Sequence, residues 1–257
     1  MSNAYYQFEW RQYSQQNRIT RAVQRLILLT TLTFSLQLLI LIPFGFKLGN
    51  SLAPSASLVT QWFALQPHLV LQGWIWQPIT YLFLHDGLMH LFGNMLVLFF
   101  FGPDVERILS TRKFYRFYVF CGLGGAAAAI AWAVLRANAV SIVGASGAVS
   151  GIMVAFAVAY PHREVFIFPF PVPIKAWFLV VIILFMNVFM SGDTKGVSVP
   201  AHLGGMAAGF LYMKAVPKLR DWQEKRLQNE VKPKDGLERL GEAVDNIFKF
   251  EQKGRRK

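Results

Sequence analysis

Four polar side chains interrupt apolar stretches of this chain: His90, Asn94, Ser146 and His202. Together their types form a chemical set. A serine hydroxyl becomes a nucleophile when a histidine within hydrogen-bond reach takes its proton. Histidine and asparagine N–H groups, with a backbone amide, can stabilise the oxyanion that develops on a carbonyl under attack. The implied chemistry is acyl transfer, with Ser146 as nucleophile, His202 as base, and His90, Asn94 and the Ser146 amide as oxyanion donors. Each residue also has a plainer reading. Small residues around a serine let helices cross closely, and a histidine or asparagine inside a span can simply bond a neighbouring helix. Their conjunction favours the chemical reading. Gly144-Ala145-Ser146-Gly147-Ala148 is not a G-x-S-x-G nucleophile elbow, because Ala148 fills the last position.

The surrounding composition is that of a membrane protein. Of the 257 residues, 54% are hydrophobic and 16% charged, against roughly 25% charged in soluble domains. Six candidate spans follow from apolar runs near the length a bilayer requires: about 26–46, 79–102, 114–135, 146–160, 174–190 and 200–216. The second is interrupted near its start by His85, Asp86 and His90. The first follows a polar tail, exceeds a signal-peptide core in length, and reads as a retained anchor. Pro43 near its end is tolerable in a membrane helix. Lys and Arg mark cytoplasmic segments. With these spans, all but Lys47, Arg136 and Lys195 of the 26 basic residues fall on one side, so both termini are expected in the cytoplasm. The net charge of +12 then reflects topology and attraction to anionic lipid, and nucleic-acid binding is not needed to explain it.

This topology makes the four residues meet. Spans two, four and six run in the same direction, and His90, Asn94, Ser146 and His202 all fall near their outer ends. His90 and Asn94, spaced i, i+4, share a helix face. Gly147 with Gly151, and Gly205 with Gly209, form two GxxxG pairs that allow spans four and six to cross closely. His202 precedes Gly205 by three residues and shares its face, which predicts Ser146 and His202 within hydrogen-bond reach. Span four is only about 22 Å long at 1.5 Å per residue, against a hydrocarbon core of about 30 Å. Its serine end is therefore expected to be recessed and reached by water through a cavity.

Elsewhere the sequence is less specific. The long segment after span one carries Trp62, Trp74 and Trp76 and reads as a partly embedded interfacial loop. In the basic C-terminal tail, Leu237, Leu240, Val244 and Ile247 recur at helical spacing, consistent with an amphipathic helix or with a solvated tail. Cys121 is the chain's one cysteine; it can form no intrachain disulfide and reads as core packing.

These motifs resemble those of the rhomboid family of intramembrane serine proteases. Gly144-Ala145-Ser146-Gly147 looks like the family's GxSG. His90-Leu91-Phe92-Gly93-Asn94 looks like its HxxxN. Ala201-His202-Leu203-Gly204-Gly205 with Gly209 looks like its AHxxGxxxG. The similarity covers about Trp74 to Val216. It implies a Ser146–His202 dyad without an acid, oxyanion positions at His90 and Asn94, and supporting positions at Gly144, Gly147, His85, Gly205, Gly209 and Glu106. Span five and the loop Ser191–Val199 occupy the place of the family's substrate gate and cap. The implied substrates are membrane proteins, cut near the outer end of a transmembrane helix. Two positions depart from the pattern: Gln77 stands where the family often has an arginine, and Ser150 where an aromatic commonly packs on the base.

The expectation is thus an all-α, polytopic membrane protein, a six-transmembrane-helix rhomboid-like bundle with both termini cytoplasmic. It divides into an N-terminal tail (1–25), a membrane domain (26–216) and a basic tail (217–257). No metal or other cofactor is required. The expected partners are transmembrane substrates and the lipid bilayer, with no nucleic acid; the oligomeric state is left open. The chain shows no transit peptide, so a bacterial cell membrane is the expected location. A catalytically silent relative that binds or escorts membrane clients is the alternative, and a small transporter is a weaker third, lacking an inverted repeat.

Overall fold

The computed structural model describes residues 19–41, 58–136, 141–167, 170–186 and 199–230. The chain divides into two compact units, Met1–Met213 and Lys214–Lys257. In the first unit, α1 (Arg21–Leu41) is followed by three short helices, α2 (Leu58–Phe63), α3 (Pro67–Leu71) and α4 (Gln77–Thr80). A 3-10 turn at Tyr81–Phe83 leads to α5 (Leu88–Leu109) and α6 (Thr111–Arg136). Then come α7 (Ser146–Ala159), a β-hairpin of β1 (Glu164–Ile167) and β2 (Phe170–Lys175), α8 (Ala176–Phe185) and α9 (Val199–Glu230), whose residues from Lys214 on belong to the second unit.

Helices α1, α5 and α6 are long and apolar enough to cross a membrane, whereas α7 and α8 are apolar but shorter. Their sides carry exposed Leu, Phe and Trp, such as Leu39, Phe100 and Trp132. Water would penalise such a surface and hydrocarbon does not.

Several sequence boundaries shift. The expected second span, about 79–102, is divided. Its first residues form α4 and the 3-10 turn, Leu84 is extended, and α5 begins only after Gly87. Its far end runs on to Leu109, so Glu106 lies within the helix rather than beyond it. Ser110, at a left-handed φ of 69°, separates α5 from α6.

The wholly helical expectation also needs correction at Glu164–Lys175, an antiparallel hairpin pairing Glu164 with Lys175 and Val165 with Ile174. Pro171 and Pro173 have no N–H and block helix formation, while the Val, Ile and Phe residues around them suit a strand. The fifth helix accordingly starts at Ala176, not 174. Pro43, the loop from Ser191 to Ser198 and the helical pattern Leu237–Ile247 lie outside the described residues.

Small residues set the packing where α6, α7 and α9 meet. A Cβ added at Gly205 would collide with the Gly147 carbonyl, and one at Gly209 would sit 2.6 Å from the Gly151 oxygen. A Cβ at Gly124 would lie 2.6 Å from Ala208 Cβ, and one at Gly125 2.7 Å from the Ala201 oxygen. These helices touch backbone to backbone, which only glycine permits. Cys121 fills the remaining space beside Gly151 and is buried.

Candidate active site

The turn leading into α7 is fixed before its serine appears. Leu65 and Ile142 form an antiparallel bridge, with both N–H···O bonds at 2.9 Å. Two residues on, the Gly144 amide donates to the Tyr81 carbonyl at 2.9 Å. Gly144 has φ +121°, a left-handed conformation that side chains disfavour. A Cβ there would also meet the His90 ring, 2.6 Å from Cε1 and 2.8 Å from Nε2. Glycine is therefore required both by backbone conformation and by the imidazole seated on it. The Tyr81 hydroxyl donates to the Gly122 carbonyl at 2.7 Å, which ties the 3-10 turn to α6.

Ser146 is the first residue of α7, and its Oγ lies 2.7 Å from His202 Nε2 in the first turn of α9. When Nε2 is unprotonated, the hydroxyl donates to it, the geometry of a nucleophile beside its base. His202 is part-buried, as is Ser146. The crossing at Gly147 and Gly205, and the lodging of the Ala201 carbonyl 3.1 Å from a Cβ position on Gly147, hold the two helices at this spacing.

His90 approaches from α5. Its Nδ1 lies 2.5 Å from Asp86 Oδ1, while the Nε2 edge of the ring faces Gly144. Asn94 is buried, one turn along, and its amide nitrogen donates back to the His90 carbonyl at 2.9 Å. An amide nitrogen carries two hydrogens, so one such N–H serves α5 itself. His85 is completely buried, its ring edge-on to His90 with centroids 5.0 Å apart. Gln37 of α1 holds the His85 backbone by donating to its carbonyl at 2.8 Å and accepting from its amide at 3.3 Å. His85 thus packs behind His90.

Glu106 stands apart from this cluster. It is buried, and its carboxylate accepts the amides of Ala22 and Val23 at 3.0–3.1 Å and the Thr111 hydroxyl at 2.8 Å. It caps the orphan amides at the start of α1. Gly209 lies farther along α9, against Gly151.

Gln77 supplies an anchor of a different kind from the arginine it replaces. It is fully buried, accepts the Gln66 amide at 3.0 Å and donates to the Gln61 carbonyl at 3.1 Å. Trp76 Nε1 donates to the Trp62 carbonyl at 2.8 Å, and the rings of Trp62, Trp74 and Trp76 lie together. Ser150 is half-buried on α7.

A family model for the rhomboid domain matches residues 72–218, more than half of the chain. The chain belongs to the rhomboid family. Among its relatives is the mitochondrial rhomboid protein 1 of Saccharomyces cerevisiae, 32% identical over 65% of this chain and 51% of that one. The rhomboid protease GluP of Bacillus subtilis is 28% identical over 57% of this chain and 27% of its own. The putative rhomboid protease YdcA of the same organism is 30% identical over 55% of this chain and 67% of its own. The chain thus spans about half of the yeast relative and about a quarter of GluP. Family membership and three apolar helices long enough to cross a bilayer make this rhomboid an integral membrane protein.

Sequence inspection assigns no role at the site to Gln37 or Tyr81, names Asp86 only as an interruption of a span, and names Gln77 only as a departure from the family pattern. Asp86 carries a usable signal, an acid four residues before a histidine. Gln37 is a lone amide in an apolar helix. Tyr81 acts partly through its backbone, which leaves no trace in residue type.

Proposed function

We propose that the chain is an intramembrane serine endopeptidase that cleaves transmembrane segments of other membrane proteins. The observation that carries this reading is the 2.7 Å pairing of Ser146 Oγ with His202 Nε2 at the start of a helix within an apolar bundle. His202 takes the serine proton as Oγ attacks the scissile carbonyl. The negative charge that develops on the carbonyl oxygen is met by the Ser146 amide, by His90 and by an Asn94 N–H. His202 then returns its proton to the leaving amine, and water hydrolyses the acyl-enzyme by the same steps in reverse order. Protease names among the relatives support the activity. Gln77 and Ser150 are the two departures that leave room for a catalytically silent relative, and Gln77 holds its loop from a buried position.

The proposal includes the six-span topology with cytoplasmic termini, a membrane domain at 26–216 and flanking tails at 1–25 and 217–257. The site then opens near the outer face. Substrates enter past α8, whose Trp177, Phe178 and Phe185 are exposed, and present an extended, helix-loosened stretch to Ser146. The test is labelling of the purified full chain with a fluorophosphonate or isocoumarin, followed by adduct mapping. A single adduct on Ser146, lost in His202→Ala, supports the reading; an unlabelled wild-type protein that also fails to cut a single-span substrate overturns it.

A further inference from the structure

The proposed dyad contains no acid, yet a carboxylate does meet a histidine at this site. Asp86 Oδ1 lies 2.5 Å from His90 Nδ1, and each side chain is about a quarter exposed, at 27% and 28%. The ring is also held from other directions. His85 packs edge-on at 5.0 Å between centroids, and the Gly144 turn lies beneath its Cε1–Nε2 edge. A Cβ at Gly144 would be 2.8 Å from Nε2 but 3.7 Å from Nδ1, so Nε2 is the nitrogen directed at the turn that carries Ser146.

We propose that Asp86 is a positioning residue for the oxyanion site: by accepting a hydrogen bond from the Nδ1–H of His90 it fixes the ring so that Nε2 is presented beside Ser146. This rests on the catalytic reading above. A carboxylate that orients a histidine is a familiar catalytic device; here it serves the histidine that binds the oxyanion and not the one that takes the serine proton. The bonding also sets the charge. With Nδ1–H given to Asp86, an Nε2–H donor on the same ring makes it an imidazolium. The titratable groups in contact with that ring are Asp86 and His85. Asp86 and His90 then form an ion pair whose positive edge faces the developing oxyanion, and charge-assisted bonds of this kind are the strong ones.

The experiment is kinetic, on the full chain in liposomes with a single-span substrate. Asp86→Ala lowers kcat about tenfold or more, short of the ~10²–10³ that loss of an oxyanion donor itself costs, with KM and Tm unchanged. Combined with His90→Ala, Asp86→Ala costs nothing further, because it acts through that ring. Asp86→Asn, nearly isosteric, can donate its amide to Nδ1 and leave a neutral ring with Nε2–H. Its kcat then stays above that of Asp86→Ala, because the ring keeps its orientation. Wild-type kcat in Asp86→Ala, losses that add in the double variant, or an Asp86→Asn kcat no higher than that of Asp86→Ala would overturn the inference while Ser146 labelling leaves the protease reading standing. A wild-type protein that neither labels nor cleaves overturns both.

Discussion

The two ends of α5 each present a carboxylate, and they are employed in opposite ways. Near one end, Glu106 is 3% exposed and filled by two backbone amides and a hydroxyl. Every one of these donors belongs to the scaffold. Just ahead of the other end, Asp86 is about a quarter exposed and meets the ring of His90, a group that itself faces the Gly144 turn. A saturated, buried carboxylate holds the fold together and leaves little to adjust. A half-buried one bonded to a titratable ring controls where that ring points and how much charge it carries. On this contrast, substitutions at the Glu106 end should act on stability, and those at the Asp86 end on rate.

The largest expected effect tests the rate side. Ser146→Ala and His202→Ala should each reduce cleavage by more than about 10³-fold without lowering Tm. The double variant should be little worse than either alone, since the two act as one unit. Turnover by purified Ser146→Ala, in a gel assay with a single-span substrate, would remove the site from this end of the molecule.

Next come the proposed oxyanion donors. His90→Ala and Asn94→Ala should each forfeit about 2.7–4 kcal/mol of transition-state stabilisation, seen in kcat and not in substrate binding. Full kcat in both variants would make them helix-packing groups, like Glu106 in kind.

Glu106→Ala sharpens the comparison from the other side. It orphans buried amides at the start of α1, at about 1–3 kcal/mol for each unsatisfied group. The Tm should fall by several degrees, while kcat per folded molecule stays at the wild-type level. A rate loss in the folded fraction would erase the distinction between the two ends.

The smallest effect is expected at Gln77. Gln77→Ala removes two loop hydrogen bonds, each contributing about 1 kcal/mol. A modest Tm decrease with cleavage retained is the expected result.

Ser146 and His202 are legible as partners because GxxxG spacing and a three-residue offset are rules of a single helix, and two such stripes predict one crossing. Gly144 is legible by type, but its left-handed φ and the ring above it depend on α5. Gln37 is not legible as the support of His85, since the two are far apart in sequence and pair only after α1 packs on α5. The hairpin after α7 hides for another reason. Phe, Ile and Val dominate both a strand and the beginning of a membrane span, and only its prolines distinguish them. The divided start of the expected second span follows from Gly87, where backbone extension replaces the helix that the flanking apolar residues favour. The Glu106 end shows how charge misleads. An acid reads as lying beyond a span, but hydrogen bonds from α1 and Thr111 let it stay within the helix.

The glycine contacts between α7 and α9 also work as a bearing. Gly147 meets Gly205 and Gly151 meets Gly209 with no side chain between them, so any rocking of one helix on the other pivots there. Ser146 is one residue from that bearing and His202 three, or at most about 4.5 Å along the axis. A tilt of about 10° displaces such a point by about 0.8 Å, but moves Ala159, about 12 Å past Gly151, by about 2 Å. Movements at the far ends reach the Ser146 hydroxyl and the His202 ring strongly attenuated. Closeness to the hinge line lets the bundle breathe while the Ser146–His202 hydrogen bond stays in register.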